Sequence, residues 1–146
     1  MRVVVQKSLE SSVMVDGNVV SSIGNGLMVL VGFFHDDTLA DIDYLVNKVV
    51  NLRIFLDDNG VMNKSVIDVN GEILCVSQFT LYGDVSHGNR PSYIRAMGGS
   101  DASRFYDLFC ERLNFFVSTK RGVFGGDMKV SLINDGPTTI IIESKK

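Results

Sequence analysis

Apolar and polar residues along the chain fall into short alternating runs and two longer-period stretches. Val3-Val4-Val5 opens an apolar run. Ser12-Val13-Met14-Val15 then meets Asp16-Gly17, a two-residue hairpin signal, before Val19-Val20 returns. Gly24-Asn25-Gly26 marks a further turn, and Leu27 to Val31 follow with little alternation, which predicts a strand covered on both faces. The period then lengthens. Leu39, Ile42, Leu45, Val46, Val49 and Val50 recur at three- and four-residue spacing, one face of a helix capped by Asp37 or Thr38. Arg53 to Leu56 return to strand character and end at Asp57-Asp58-Asn59-Gly60. Asn70-Gly71 predicts a turn into a long β-prone run, Glu72 to Tyr82, closed by Gly83-Asp84. Residues 84–100 read as a loop, long enough in a compact domain to carry function. A second helix is predicted after Ser100 or Asp101. Its apolar stripe runs through Ala102, Phe105, Tyr106, Phe109, Cys110, Leu113 and Phe116 or Val117, with Lys120 and Arg121 at its C-terminal end and Gly122 as its stop. Met128 to Ile133 alternate as a strand, Asn134-Asp135-Gly136-Pro137 read as a turn, and Thr138 to Ile142 as a closing strand. The prediction is one α+β domain over residues 1–146: a mostly antiparallel β-sheet or barrel with two packed amphipathic helices.

Composition narrows the class. The 146 residues suffice for a core without disulfide or metal staples, and 45% hydrophobic with 21% charged residues excludes disorder. The longest strongly apolar stretch, Leu27 to Phe34, is too short to span a bilayer, and Lys7 precedes any signal-peptide apolar region. A cytoplasmic protein, neither secreted nor membrane-bound, is expected. Cys75 and Cys110 form no CxxC pair and read as buried reduced thiols. Asp36, Asp37, Asp41 and Asp43 load a helix start, as the macrodipole favours, and read as ordinary helix-start acids rather than a metal site. The net charge of −3 hides an asymmetry. Residues 1–84 carry 5 basic and 11 acidic side chains, whereas residues 85–146 carry 9 basic and 6 acidic, a half suited to facing a polyanion.

The common catalytic signatures are absent: no P-loop, GxGxxG, HExxH or GxSxG, and no histidine placed to activate a hydroxyl. An enzyme with this sequence works through backbone groups, hydroxyls and an already reactive substrate. Two segments stand out. In a strand, Ser77-Gln78-Phe79-Thr80 sets Gln78 and Thr80 on one face, either a half-exposed polar side or a site at a strand end. Gly136-Pro137 is either a plain turn or a rigid corner whose carbonyl oxygens form a steric gate.

Together these segments resemble the D-aminoacyl-tRNA deacylase (D-Tyr-tRNA deacylase) family. Ser77-Gln78-Phe79-Thr80-Leu81-Tyr82-Gly83-Asp84 and Asn134-Asp135-Gly136-Pro137-Thr138 carry the resemblance. Met1 to Gln6, Val15-Asp16-Gly17, Asn51 to Phe55 and Gly122 to Gly125 extend it over nearly the whole chain. It implies a barrel-like homodimer with the active site at the subunit interface, acting on aminoacyl-tRNA without metal or other cofactor. Ser77, Gln78, Phe79 and Thr80 would line the pocket. Gly136 and Pro137, joined by a cis peptide in the family, would reach in from the partner subunit as a chiral gate, with Met128 and Thr138 beside them. Thr138 stands where the family pattern usually has valine. The resemblance implies hydrolysis of the ester joining a D-amino acid or glycine to tRNA, with L-amino acids rejected. Backbone N–H groups around Phe79 and Thr80 are candidate oxyanion donors, and Thr80 a candidate nucleophile or water positioner. No base for Thr80 is evident in the sequence. Attack by water, with the tRNA 2′-hydroxyl as proton shuttle and Gln78 orienting substrate or loop, is the expectation. Arg90, Arg95, Lys120 and Arg121 are candidate tRNA contacts. The alternatives are same-fold editing of a different aminoacyl-tRNA, motivated by Thr138, and a non-catalytic nucleic-acid-binding module, motivated by the basic second half and opposed by the acidic pI of about 5.3.

Overall fold

The computed structural model describes residues 1–145. In chain order the elements are β1 (Arg2–Val15), β2 (Asn18–Ile23), β3 (Gly26–Gly32), α1 (Leu39–Asn51), β4 (Phe55–Leu56), β5 (Met62–Lys64), β6 (Glu72–Ser77), a 3₁₀ turn (Phe79–Tyr82), α2 (Gly99–Phe116), β7 (Thr119–Arg121) and β8 (Met128–Glu143). Asp16 and Gly17 both take positive φ, 51° and 77°, as the expected tight hairpin between β1 and β2 requires.

The sheet is mixed, in the order β2-β1-β3-β6-β7, with β8 along the other edge of β1. β1 pairs antiparallel with β2, β3 and β8, while β3–β6 and β6–β7 are parallel. Hydrogen bonds from one end of the sheet to the other nearly close it into a barrel. Ser21 Oγ donates to Arg121 O at 2.6 Å and Lys120 Nζ to Ser22 O at 3.0 Å. β3 is covered on both faces, as its unbroken apolar run predicts. Leu27, Val29 and Val31 pack towards the helices with Ile42, Leu45, Val49, Phe109 and Leu113. Met28 packs on the other side with Val13, Ile23, Leu74 and Val76.

Four predicted boundaries move. The run Glu72 to Tyr82 is not one strand: it stops at Ser77 and coils into the 3₁₀ turn. Arg53 to Leu56 shrinks to the two-residue β4. α2 ends at Phe116, and Lys120 and Arg121 belong to a strand, because Thr119 to Arg121 satisfy the open edge of β6. The Asn134 to Pro137 segment does not reverse the chain. β8 runs straight past it because β1 is long enough to pair on both sides. Gln6 faces Thr139 and Ser8 faces Asn134, so Lys7 alone stands opposite residues 135–138, a wide bulge. The Gly136–Pro137 peptide within it is cis. Leu39 and Phe116, predicted on the apolar helix faces, are exposed.

Thr38 caps α1, and its N–H and hydroxyl both donate to Asp41 Oδ2, at 2.7 and 2.9 Å. Asp37 takes the Met1 ammonium at 2.5 Å, and Asp43 pairs with Arg112. Burial works to raise the Asp41 carboxyl, but hydrogen bonds from Thr38 and Ser144, with Lys145 beside it, hold it down at about 2. A depressed carboxyl adds stability that is complete above its ordinary value and lost as pH falls through the depressed one. The melting temperature should therefore drop between about pH 4 and about pH 2, and Asp41→Asn should flatten that drop, as a pH series of melting curves will show.

Candidate active site

β3 and β6 run parallel and end together, at Gly32 and Ser77. Beyond these ends opens a cleft of about 580 Å³. Ser77, Gln78 and Phe79 form one wall, with Tyr93, Phe124 and Met128 among the residues that complete it. Gln78 shapes the wall. Its backbone N–H makes a last ladder bond to Val31 O at 2.7 Å, and at φ −149°, ψ 89° it turns the chain out of the sheet. Its side-chain Oε1 accepts from the Thr80 hydroxyl at 2.6 Å and the Thr80 N–H at 3.4 Å. The Thr80 proton therefore rests on an amide oxygen, which is no base. Among the described residues the Phe79 N–H has no hydrogen-bond partner, and it sits on the cleft wall. The Phe79 ring, 57% exposed, meets Tyr93 edge-on at 4.9 Å.

The turn lies flat on β3 because residue 32 has no side chain. A Cβ on Gly32 would stand 2.9 Å from Gln78 O and 3.1 Å from Leu81 Cβ. Burial pushes the neighbouring Tyr82 phenol up, so it stays protonated. Among the described residues no three His, Cys, Asp or Glu side chains gather as a metal site.

Of the residues singled out in the sequence, Ser77, Gln78, Phe79 and Met128 meet at the cleft, and Thr80 lies one residue beyond on the same turn. Gly136, Pro137 and Thr138 do not line it. They form the bulge of β8, which is built by side chains. Asn134 Nδ2 donates to Lys7 O and Thr138 O, both at 3.0 Å, and its Oδ1 accepts from Gln6 at 3.2 Å. The Thr139 hydroxyl lies 3.1 Å from Pro137 O, and Lys7 Nζ lies 3.3 Å from Asp135. Arg90 and Arg95 are exposed on the loop before α2, and the Arg95 guanidinium stands 5.6 Å from the Phe34 ring centre. Lys120 and Arg121 are engaged elsewhere: Lys120 bonds Ser22 O and faces Glu72, and Arg121 pairs with Asp107. The Lys120 ammonium closes the barrel, and the Arg121 guanidinium ties β7 to α2. Sequence reasoning missed Tyr93, Met97 and the Phe124-Gly125-Gly126-Asp127 wall of the cleft. The length of the 84–100 loop and the paired glycines were the available signals. Cys75 and Cys110 are both free and buried, as their apolar runs predict, and burial pushes the Cys75 thiol up.

The family model for D-Tyr-tRNA(Tyr) deacylase matches residues 4–143. The chain belongs to the D-Tyr-tRNA(Tyr) deacylase family. It is 53% identical over 150 residues to the D-aminoacyl-tRNA deacylase of Clostridium novyi (strain NT), covering 100% of this chain and 99% of that one. The solved structure of a c-Myc DNA Unwinding Element Binding Protein superposes with a TM-score of 0.95 at 43% identity, covering 100% of both chains. A probable eukaryotic D-amino acid tRNA deacylase shares the fold, with a TM-score of 0.83 at 19% identity over 97% of this chain and 98% of that one. The segments that suggested the D-Tyr-tRNA(Tyr) deacylase family in the sequence are the cleft wall and the bulge.

Gly32→Ala overpacks the contact between β3 and the turn, a change that costs about 1–3 kcal/mol. The expected result is a melting temperature lower by about 3–8 °C, with faster amide exchange across residues 78–83, read by mass spectrometry.

Proposed function

We propose that this chain hydrolyses the ester joining a D-amino acid, or glycine, to the 3′ end of tRNA. Membership in the D-Tyr-tRNA(Tyr) deacylase family supports the reaction class. The observation that carries the reading is the unpartnered Phe79 N–H on the cleft wall. An aminoacyl ester is already activated, so the protein's contribution is to position it and to stabilise the negative charge that develops on its carbonyl oxygen. The Phe79 N–H donates to that oxygen. Water attacks, and the ribose 2′-hydroxyl relays the proton. Thr80, whose hydroxyl is spent on Gln78, serves as a strut of the turn and not as the nucleophile.

Stereochemistry comes from the β8 bulge of a second copy. The Gly136–Pro137 corner is exposed and outside its own cleft, whose mouth stays open beside the exposed Phe79. A partner's corner seated at that mouth places its carbonyl oxygens where an L side chain would go, leaving room for hydrogen. Glycine passes because it has no side chain. The Thr138 hydroxyl backs this corner: a Cβ on Gly136 would fall 2.5 Å from Thr138 Oγ1.

The tRNA contact falls to Arg90 and Arg95. Six of the nine basic residues in 85–146 (Arg104, Arg112, Lys120, Arg121, Lys129 and Lys145) already face acids of this chain. Arg90 and Arg95 have no such partner among the described residues. A module that holds nucleic acid by charge alone would keep more of its cations free.

D-tyrosyl-tRNA and glycyl-tRNA should be hydrolysed while L-tyrosyl-tRNA persists. Thr80→Ala should keep activity within about tenfold, and an ester on a 2′-deoxy terminus should react about 10²-fold more slowly or worse. Persistence of D-tyrosyl-tRNA would defeat the proposal. Sedimentation should give a dimer of the 16.1 kDa chain, and a monomer with full selectivity would exclude the second-copy gate.

A further inference from the structure

Arg2 begins β1, far in sequence from the cleft wall, yet its guanidinium lies against the 3₁₀ turn. Nη1 donates to Leu81 O at 2.6 Å, Nε donates to Glu143 Oε1 at 2.5 Å, and the group stands 5.0 Å from the centre of the Tyr82 ring. The turn needs an external hold. None of its four residues is fully buried, and the hydrogen bonds that tie it to its flanks are Leu81 N to Gln78 O at 3.3 Å and Gly83 N to Thr80 O at 2.9 Å. Apolar burial holds only weakly a segment whose residues are exposed or half-buried. Gln78 restrains the turn at its start and Gly32 lets it approach β3; on its far half the Phe34 ring packs 5.7 Å from the Tyr82 ring, and Arg2 supplies the polar restraint.

We infer that Arg2 is a positioning residue for the reaction: by holding Leu81 O and Tyr82 it fixes the direction in which the Phe79 N–H points into the cleft. Through Glu143 it also ties the turn to the end of β8, the strand that carries the Gly136–Pro137 bulge. Arginine suits the position because one planar fork serves a carbonyl, a carboxylate and an aromatic face at once. A lysine offers a single point charge. The inference rests on the reading that the Phe79 backbone stabilises the developing charge. Misplacing such a group by about 1 Å costs up to about 10²-fold in rate.

The test compares wild type, Arg2→Ala, Arg2→Lys and Gly32→Ala in single-turnover hydrolysis of D-tyrosyl-tRNA and in local amide exchange. Arg2→Ala should lower kcat by about 30–100-fold with KM within about threefold, and Arg2→Lys should fall between it and wild type. Guanidinium chloride at low millimolar concentration should restore part of the Arg2→Ala rate by refilling the site. It should not restore Gly32→Ala, whose turn is displaced by a methyl group. Exchange over residues 78–83 should quicken in Arg2→Ala while the α1 and α2 amides stay protected. Wild-type kcat in Arg2→Ala, or unchanged exchange over 78–83, would overturn the inference. So would a rate loss with general deprotection and no guanidinium rescue. Exchange needs no substrate, so it decides the Arg2 assignment even if wild type fails to hydrolyse the ester, and the two failures are distinguishable.

Discussion

At Gln78 the chain makes one last ladder bond, to Val31 O at 2.7 Å, and then folds its own side chain back over the next residues to accept from Thr80 at 2.6 Å. The cleft depends on this exchange of a sheet partner for a local one. If β6 continued, the Phe79 N–H would be drawn into sheet hydrogen bonding. Because β7, which faces β6 on the edge of Ile73 and Cys75, stops at Arg121, that N–H is left without a partner among the described residues at the cleft wall. No side chain of the turn is fully buried, so its geometry comes largely from close approach to β3 and from hydrogen bonds, each of the latter worth about 0.5–1.5 kcal/mol net. Precision here is local and polar, on a support that is apolar and stiff.

That support is β3, filled on both faces, with β1 beside it. β1 serves as partner to three strands, and along its outer edge β8 runs for 16 residues. The bulge opposite Lys7 is where β8 departs from simple pairing. The Asn134 amide satisfies the backbone groups that the departure leaves on both strands. A bulge so thoroughly bonded is a built feature and not a packing error. It does not line the cleft of its own chain, which is why the proposed reading gives it to a neighbour's.

Charge follows the same division between scaffold and site. The basic excess of the second half, conspicuous in the sequence, is mostly consumed within the chain. Arg112 joins α2 to α1 through Asp43, Lys120 closes the barrel, Arg121 ties β7 to α2 through Asp107, and Lys145 settles on the acids at the start of α1. Exposed pairs of this kind contribute about 0–1 kcal/mol each. Their clearer consequence is to leave Arg90 and Arg95, on the loop beside the cleft, as the arginines whose side chains make neither an ion pair nor a hydrogen bond among the described residues.

Much of the fold was legible in the sequence because it rests on local periodicity. The helical spacing of Ile42, Leu45, Val46, Val49 and Val50, the Asp16-Gly17 hairpin and the unbroken Leu27 to Val31 run each specify one element. The Ser77 to Thr80 string marked the cleft wall, and family resemblance named its chemistry. What failed were the places where a partner distant in sequence overrides a local preference. The β-prone residues 78–82 coil because Gly32 admits them and β3 has ended. Lys120 and Arg121 extend because β6 offers an open edge. Asn134 to Pro137 bulge without turning because β1 pairs on both sides of them. The sequence by itself determined which segments are helix or strand and which short strings are special, since propensity and period act between near neighbours. Only the tertiary structure decided where those strings lie: the Phe79 N–H free at a cleft, and Gly136–Pro137 on the far side of β1. Strand ends, edges and close approaches are set by residues far apart in sequence.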